Sequence, residues 1–331
     1  MKYFLQTLAR FTLFLLVPIL LLLAAYFYDD PFKVVYKYAD NSLLELATNR
    51  DYVSTELFLQ NRERHAYDSF VFGSSRTYGL NIESWRSYLP VGSSPFMFDA
   101  SSESMYGMHK KIRYLDSVGS PISNAIIMVC RDCSFERSSN HKGHLFIKHP
   151  CISGESRLLF QKEFVAAFLN PVVFGQYYWY RATGNQEFNI IRKIAEVDSI
   201  TNNHALAYRE RAIADDSQAY YSKLGDVFYE RRGETVDANL RVKDIHMAMM
   251  CDIKRIFDKH HTHYKIVVNP SYDQVKINSE DLSCLQAIFG KEFVYDFTGK
   301  NNLTESKTKY YEDQHYRPMV GDSILRKVYG E

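Results

Sequence analysis

The chain obeys one pattern over its first thirty residues and another over the rest. From Phe11 to Tyr28 every position except Thr12 and Pro18 is apolar or aromatic. With its flanks, that run has about the length needed to cross a hydrocarbon core. Lys2 and Arg10 precede it, and Asp29 and Asp30 follow it. Because basic residues are retained on the cytoplasmic side, this asymmetry places the N-terminus in the cytoplasm and the main domain outside it, on the periplasmic or cell-surface side. A cleaved signal peptide is the rival reading. The run is long for a signal core, and Ala24-Ala25-Tyr26 is a poor cleavage site. The expectation is a single uncleaved transmembrane helix.

Beyond it the pattern alternates. Residues 31–66 read as a membrane-proximal connector with one helix around Ser42–Gln60. Ser69–Phe72 is a short buried strand, followed by a helix over Ile82–Leu89, and Pro95–Phe98 is a second strand. Met105, Met108, Ile112 and Leu115 fall at helical spacing behind Ser102-Glu103-Ser104, a plausible helix start. Ala125–Val129 is continuously apolar, as a strand buried on both faces must be. Ile253, Ile256 and Phe257 mark a long helix ending near His260. Tyr264–Val268 and Phe293–Tyr295 are further strands, and Val320, Ile324 and Leu325 lie on a last helix.

Strands alternating with helices predict an α/β protein with a parallel sheet covered on both faces. Between about 151 and 236 the alternation stops. Arg157–Leu169 and Phe188–Val197 read as helices flanking Tyr177–Tyr180, so this stretch is expected to be a helical insertion. The predicted organisation is an anchor over 1–30, a connector over 31–66, and one α/β domain over 67–331 that carries the insertion.

Composition narrows the picture by exclusion. The 331 residues carry a net charge of +1, so no polyanion partner is implied. Neither a basic stripe nor a glycine-rich phosphate loop is present, and nucleic acid and nucleotides are not expected ligands. The 25 tyrosines and 22 phenylalanines must mostly pack; Tyr177–Tyr180 could stack sugar rings, but such a run is more often internal packing. Of the five cysteines, Cys130 and Cys133 have CxxC spacing, yet Cys130 ends a strand rather than opening a helix, and all five read as structural. His260, His261 and His263 sit at a helix C-terminus, where positive charge is favourable, and lack an acid or cysteine spaced to complete a metal site. No metal and no cofactor is expected.

Two short motifs carry the chemistry. Phe72-Gly73-Ser74-Ser75-Arg76 follows the first strand directly, and Tyr311-Glu312-Asp313-Gln314-His315-Tyr316 lies near the C-terminus. Ligands of parallel sheets bind beyond the carboxyl ends of the strands, which is where Ser75 falls. A serine hydroxyl needs a base within reach, and a carboxylate fixes the tautomer of a histidine base. Ser75 is the candidate nucleophile, His315 the base and Glu312 the acid, with Asp313 the alternative acid. Arg76 and Asp273 are candidate substrate-binding residues, a salt bridge and a turn being their respective plainer roles.

Gly-x-Ser early and acid-x-x-His late, in that order, resemble the SGNH (GDSL-type) hydrolase superfamily. Glu312-Asp313-Gln314-His315-Tyr316-Arg317-Pro318 with Gly321 and Asp322, and the Lys265–Gln274 segment, resemble its membrane-anchored branch. Relatives in that branch work beside membrane-bound O-acyltransferases on extracellular polysaccharides, as in alginate acetylation and teichoic-acid D-alanylation. The resemblance covers roughly residues 68–135 and 262–330 and leaves out the insertion. It implies a three-layer flavodoxin-like sheet and a membrane-anchored acyltransferase or esterase acting on O-acyl, above all O-acetyl, groups. The implied partners are a cell-envelope polysaccharide, an acyl donor and a membrane-bound O-acyltransferase.

The chain departs from the family's pattern in three places. Ser74 stands where the first block has aspartate. Phe98–Ser102 lacks the glycine that supplies an oxyanion donor, leaving the backbone of Ser75 and of Asp99 or Ala100 for that role. Cys130-Arg131-Asp132 stands where the third block has an asparagine donor; losing one such donor costs about 10²–10³ in rate. Those departures motivate the alternative of a non-catalytic glycan-binding or scaffold protein on the same fold.

Overall fold

The computed structural model describes residues 1–38, 46–185, 188, 196–231 and 236–330. In chain order, α1 (Lys2–Asp29) and α2 (Arg50–His65) precede β1 (Ser69–Gly73), a short 3₁₀ turn over Ser75–Gly79 and α3 (Ile82–Arg86). Then come β2 (Pro95–Met97), α4 (Met105–Ser117), β3 (Asn124–Val129), α5 (Arg157–Phe168), α6 (Pro171–Thr183), α7 (Ala207–Asp215) and α8 (Ser217–Lys223). The chain closes with α9 (Asp244–His260), β4 (His263–Val268), α10 (Ser279–Phe289), β5 (Val294–Asp296) and α11 (Pro318–Tyr329).

The five strands form one sheet in the order β2-β1-β3-β4-β5, and every pairing is parallel. Phe70 pairs with Phe96 on one side and Ala125 on the other, and Ile127 pairs with Ile266. Both faces are covered, as the apolar runs require. Phe70, Phe72, Ile127 and Ile266 point into a layer built by Val53 and Phe58 of α2, Met108 and Ile112 of α4, Ile253 and Phe257 of α9, and Leu285 of α10. Val71, Ile126, Met128 and Val267 face Trp85 of α3 and Val320, Ile324 and Leu325 of α11. The strand order changes direction between β1 and β3, and the carboxyl ends of the strands at such a point are where parallel sheets of this kind bind ligands. Ser75 follows β1 at that end.

Several elements differ from the sequence reading. The connector helix starts at Arg50 rather than Ser42, because the Asn49 side chain accepts the Tyr52 N–H at 2.9 Å and caps it there; residues 42–45 lie outside the described residues. It packs Val53, Leu57 and Phe58 into the core of the sheet domain. The α3 helix stops at Arg86, short of Leu89. Tyr177–Tyr180 lie inside α6, not between helices. Of the helix expected over Phe188–Val197, residues 189–195 lie outside the described residues, and Glu196–Val197 form instead a small antiparallel pair with His204–Ala205.

The α1 helix is long and apolar enough to cross a membrane. Its C-terminal end is built into the body of the protein. Tyr26 is fully buried among Phe32, Phe160, Phe164 and Phe168. Asp30 accepts the backbone N–H groups of Val34, Val35 and Tyr36 at 2.9, 3.1 and 3.1 Å.

Candidate active site

The turn after β1 is shaped by close approach. A Cβ on Gly73 would stand 2.6 Å from Met128 Cβ and 2.9 Å from Thr77 Cγ2, so only glycine lets β1 and β3 lie this close at their ends. Ser74 then caps the 3₁₀ turn, its Oγ accepting the Arg76 N–H at 3.4 Å. Ser75 opens that turn, and the first amide of a helical turn has no acceptor within it. The Ser75 hydroxyl at this position meets His315.

The second motif is a closed loop. Tyr310 and Tyr316 form an antiparallel bridge, Tyr311 N–H donates to the His315 carbonyl at 2.8 Å, and Arg317 N–H donates to the Lys309 carbonyl at 2.8 Å. Tyr310, Tyr311 and Tyr316 are buried. The Tyr316 hydroxyl donates to Asn269 Oδ1 at 2.8 Å, and Asn269 Nδ2 donates to the Val129 carbonyl at 3.1 Å, which ties the loop to the ends of β3 and β4. The loop thus holds Glu312 and His315 over the sheet edge.

The structure brings Ser75, His315 and Glu312 into one relay. His315 Nε2 lies 2.8 Å from Ser75 Oγ, and His315 Nδ1 is hydrogen-bonded to Glu312 Oε1. Arg209 of α7 donates to the other Glu312 oxygen at 2.5 Å. Burial raises the Glu312 pKa, but the His315 hydrogen bond and the Arg209 charge outweigh it and hold the carboxyl below its usual range. Asp313 is turned away, accepting from Gln314 Nε2 at 3.1 Å. The acid on the base is therefore Glu312. Glu312→Gln is expected to lower kcat by about 10³–10⁴, the cost of losing the orienting charge, while Asp313→Asn leaves it within about twofold; steady-state kinetics on any ester the protein cleaves distinguishes the two.

Behind the relay stands a stack of rings. Tyr78 lies face to face with His204, centroids 4.2 Å apart and 6° from parallel, and its ring runs 11° from that of His315 at 6.1 Å. His204 is buried, and its ring nitrogens have no hydrogen-bond partner among the described residues. Burial, then the nearby Arg50 guanidinium, push its pKa well below the usual histidine range, so it stays neutral against the ring.

The insertion clasps the loop that carries Glu312 and His315. Besides Arg209, Glu210 of α7 makes a two-oxygen pair with Arg317 at 2.9 and 2.6 Å. The Tyr220 and Tyr221 hydroxyls of α8 donate to the carbonyls of Tyr311 and Tyr310 at 3.0 and 2.9 Å. From the opposite side α11 presses on the serine turn. A Cβ on Gly321 would stand 1.9 Å from the Gly79 carbonyl oxygen, and one on Gly79 would stand 2.1 Å from the Tyr316 ring. Gly321→Ala should cost about 1–3 kcal/mol of stability as an overpacked contact, read by thermal denaturation, and should lower activity by shifting Ser75 against His315.

The other candidate residues have partners of their own. Arg76 is buried, and its guanidinium donates to both Asp132 oxygens at 2.8 and 2.7 Å, to the Gln314 carbonyl at 3.1 Å and to Gln314 Oε1 at 3.0 Å. It fastens the serine turn to the base loop instead of standing open to substrate. Asp273 pairs with Arg131 and accepts the Val275 N–H at 3.0 Å, the turn role. Ala100 N–H donates to the Gly73 carbonyl at 3.1 Å, which occupies it as an oxyanion donor. The Asp99 carboxylate is buried and held by Arg50 Nε at 3.0 Å and Asn202 Nδ2 at 3.1 Å. Cys130 is free and buried, its Sγ 3.1 Å from Ser74 Oγ. A hydrogen bond from Cys133, with the Arg76 charge, draws its thiol down to about 6. Cys130, Asp132 and Cys133 cluster closely enough to ligate a cation, but Arg76 already holds both oxygens of Asp132.

Fold and site together define a parallel α/β protein with a Ser–His–Glu relay at the carboxyl edge of its sheet. No protein-family model matches the chain, and no curated protein matches it.

Proposed function

We propose that this protein is a serine acyltransferase or esterase of SGNH hydrolase type, on a flavodoxin-like three-layer sheet, acting on O-acyl groups of an extracytoplasmic polysaccharide. The observation that carries the reading is the 2.8 Å contact between His315 Nε2 and Ser75 Oγ with Glu312 behind the ring. That geometry performs two-step acyl transfer. His315 takes the Ser75 proton as Oγ bonds to the acyl carbonyl carbon. The tetrahedral adduct collapses, the donor's ester oxygen leaves with the proton from His315, and an acyl-serine remains. A sugar hydroxyl or water then gives its proton to His315 and attacks the same carbon. Ser75 leaves and recovers the proton. Glu312 holds the ring and balances its charge in both halves.

The setting supports the glycan part of the reading. The α1 helix anchors the chain, and its flanking charges favour an extracytoplasmic body. A groove of about 570 Å³ is lined by Phe228, Tyr229, Arg231, Tyr272 and Gln274. Its aromatic faces with flanking polar groups suit a sugar ring. Tyr272 adjoins Asp273, whose partner Arg131 adjoins the Asp132 that holds Arg76. An acyl donor delivered by a membrane-bound O-acyltransferase fits the anchored arrangement.

The alternative of a non-catalytic glycan-binding protein rests on the thin oxyanion hole, since Ala100 N–H is occupied and Asp132 stands where an amide donor is expected. A serine-directed fluorophosphonate separates the two. The catalytic reading expects the full-length protein to be labelled and Ser75→Ala to be blank. Equal labelling of both, or of neither, supports the binding protein.

A further inference from the structure

We propose that the α5–α6 pair lies in the membrane interface, gripping with a second element the same bilayer that α1 crosses. This rests on reading α1 as a membrane helix. From Phe11 to Tyr28 the helix is about 27 Å long at 1.5 Å per residue, close to the hydrocarbon thickness of about 30 Å. The span therefore ends near Tyr26–Asp29, and that is where α5 and α6 attach. The Tyr26 hydroxyl donates to Gln161 Oε1 at 2.7 Å, Tyr178 donates to Asp29 at 2.5 Å, and Tyr26 and Phe168 meet at 5.6 Å between ring centroids.

The pair is apolar enough in sequence to be a membrane segment but is bent by 73°. Phe160, Phe164 and Phe168, one helical face of α5, are buried against the protein. A segment so bent and so packed does not cross a bilayer. Its other side is apolar too: Leu158 is 83 % exposed, Val172 62 % and Trp179 55 %, with Leu159 and Leu169 also exposed. Arg157, Lys162 and Arg181 are exposed on the same two helices. A pair with leucine, valine and tryptophan outward and basic groups flanking them has the composition of an interfacial element. Tryptophan and tyrosine favour that depth. The attachment to the end of α1 sets the pair at the right level, so the occupant of this face is lipid.

The chain has two tryptophans, and Trp85 is fully buried with its Nε1 donating to the Tyr329 hydroxyl at 2.8 Å. Trp179 can therefore be read alone, as the difference between wild type and Trp179→Phe. Full-length protein is reconstituted into phosphatidylcholine vesicles with and without brominated acyl chains, and its retention after an alkaline wash is scored. The proposal expects retention, a blue-shifted Trp179 emission, and its loss to the bromolipid, with the Trp85 emission left in Trp179→Phe unchanged. Retained protein whose Trp179 is quenched by aqueous iodide and not by bromolipid overturns the proposal and leaves the anchor standing. Quenching by neither means that protein covers the face, which also overturns it. Failure to stay with the vesicles defeats the anchor reading, and the proposal with it.

Discussion

Ser75→Ala is expected to lower the rate of ester cleavage or acyl transfer by about 10⁴-fold or more while leaving stability within about 0.5 kcal/mol. The loss is large because, in the proposed reaction, the hydroxyl is the atom that bonds to the acyl carbon, and it is the group that meets His315 Nε2 among the described residues. The fold is spared because Ser75 is only partly buried at the start of its turn, and its replacement buries no polar group. The relay acts as a unit, so Ser75→Ala/His315→Ala should be no slower than either single variant to within about threefold. Additive losses in kcat would mean that the two residues serve separate tasks.

The second large effect is on stability. Lys111 and Lys148 are buried against Asp51 and Glu103, all at 1 % exposure or less. Lys111 Nζ stands 2.9 Å from Glu103 and 3.1 Å from Asp51 and donates to the Asp99 carbonyl at 2.8 Å. Lys148 Nζ stands 2.6 Å from Glu103. Burial alone raises the pKa of both acids, but the two ammonium groups more than offset it and hold both carboxyls below their usual range. Two positive and two negative charges balance in a buried space, joining α2, α4 and the loops that follow β2 and β3.

Lys111→Met leaves two carboxylates facing one ammonium and is expected to cost about 3–5 kcal/mol, read by denaturant unfolding. Lys111→Met/Glu103→Gln restores the balance and should recover part of that loss. Because both acids are depressed in the folded state, the stabilisation is present above the unfolded carboxylate range and falls away as pH drops below about 4. A loss under about 1 kcal/mol for Lys111→Met would show that the cluster is not a balanced unit.

The sheet was legible because parallel strands buried on both faces are continuously apolar, as Ala125–Val129 is. The serine turn was legible because it follows such a strand at once. What escaped the sequence is long-range. Glu312 and Asp313 are both placed to serve His315 by spacing, and only the closed loop, with Tyr311 bonded back to His315, turns one inward and the other out. Arg209, which holds Glu312 from 103 positions away, lies in the stretch that no motif covers. Arg76 looked available because Asp132 and Gln314 had no visible tie to it. Ala100 looked like a free donor because the pairing of β1 with the β2 side runs on past the strand, through Phe98 to Val71 and Ala100 to Gly73. The stacking of Tyr78 with His204 and with His315 joins three separate segments and leaves no local signature.

In the proposed reaction Ser75 carries an acyl group during turnover. The full-length protein is mixed with an activated acetyl ester, stopped in acid during turnover and digested, and the peptide containing Ser75 is weighed by mass spectrometry. One acetyl increment is expected on Ser75, absent from Ser75→Ala and diminished in His315→Ala. Turnover with an unmodified Ser75, or acetylation elsewhere that persists unchanged in Ser75→Ala, would contradict it.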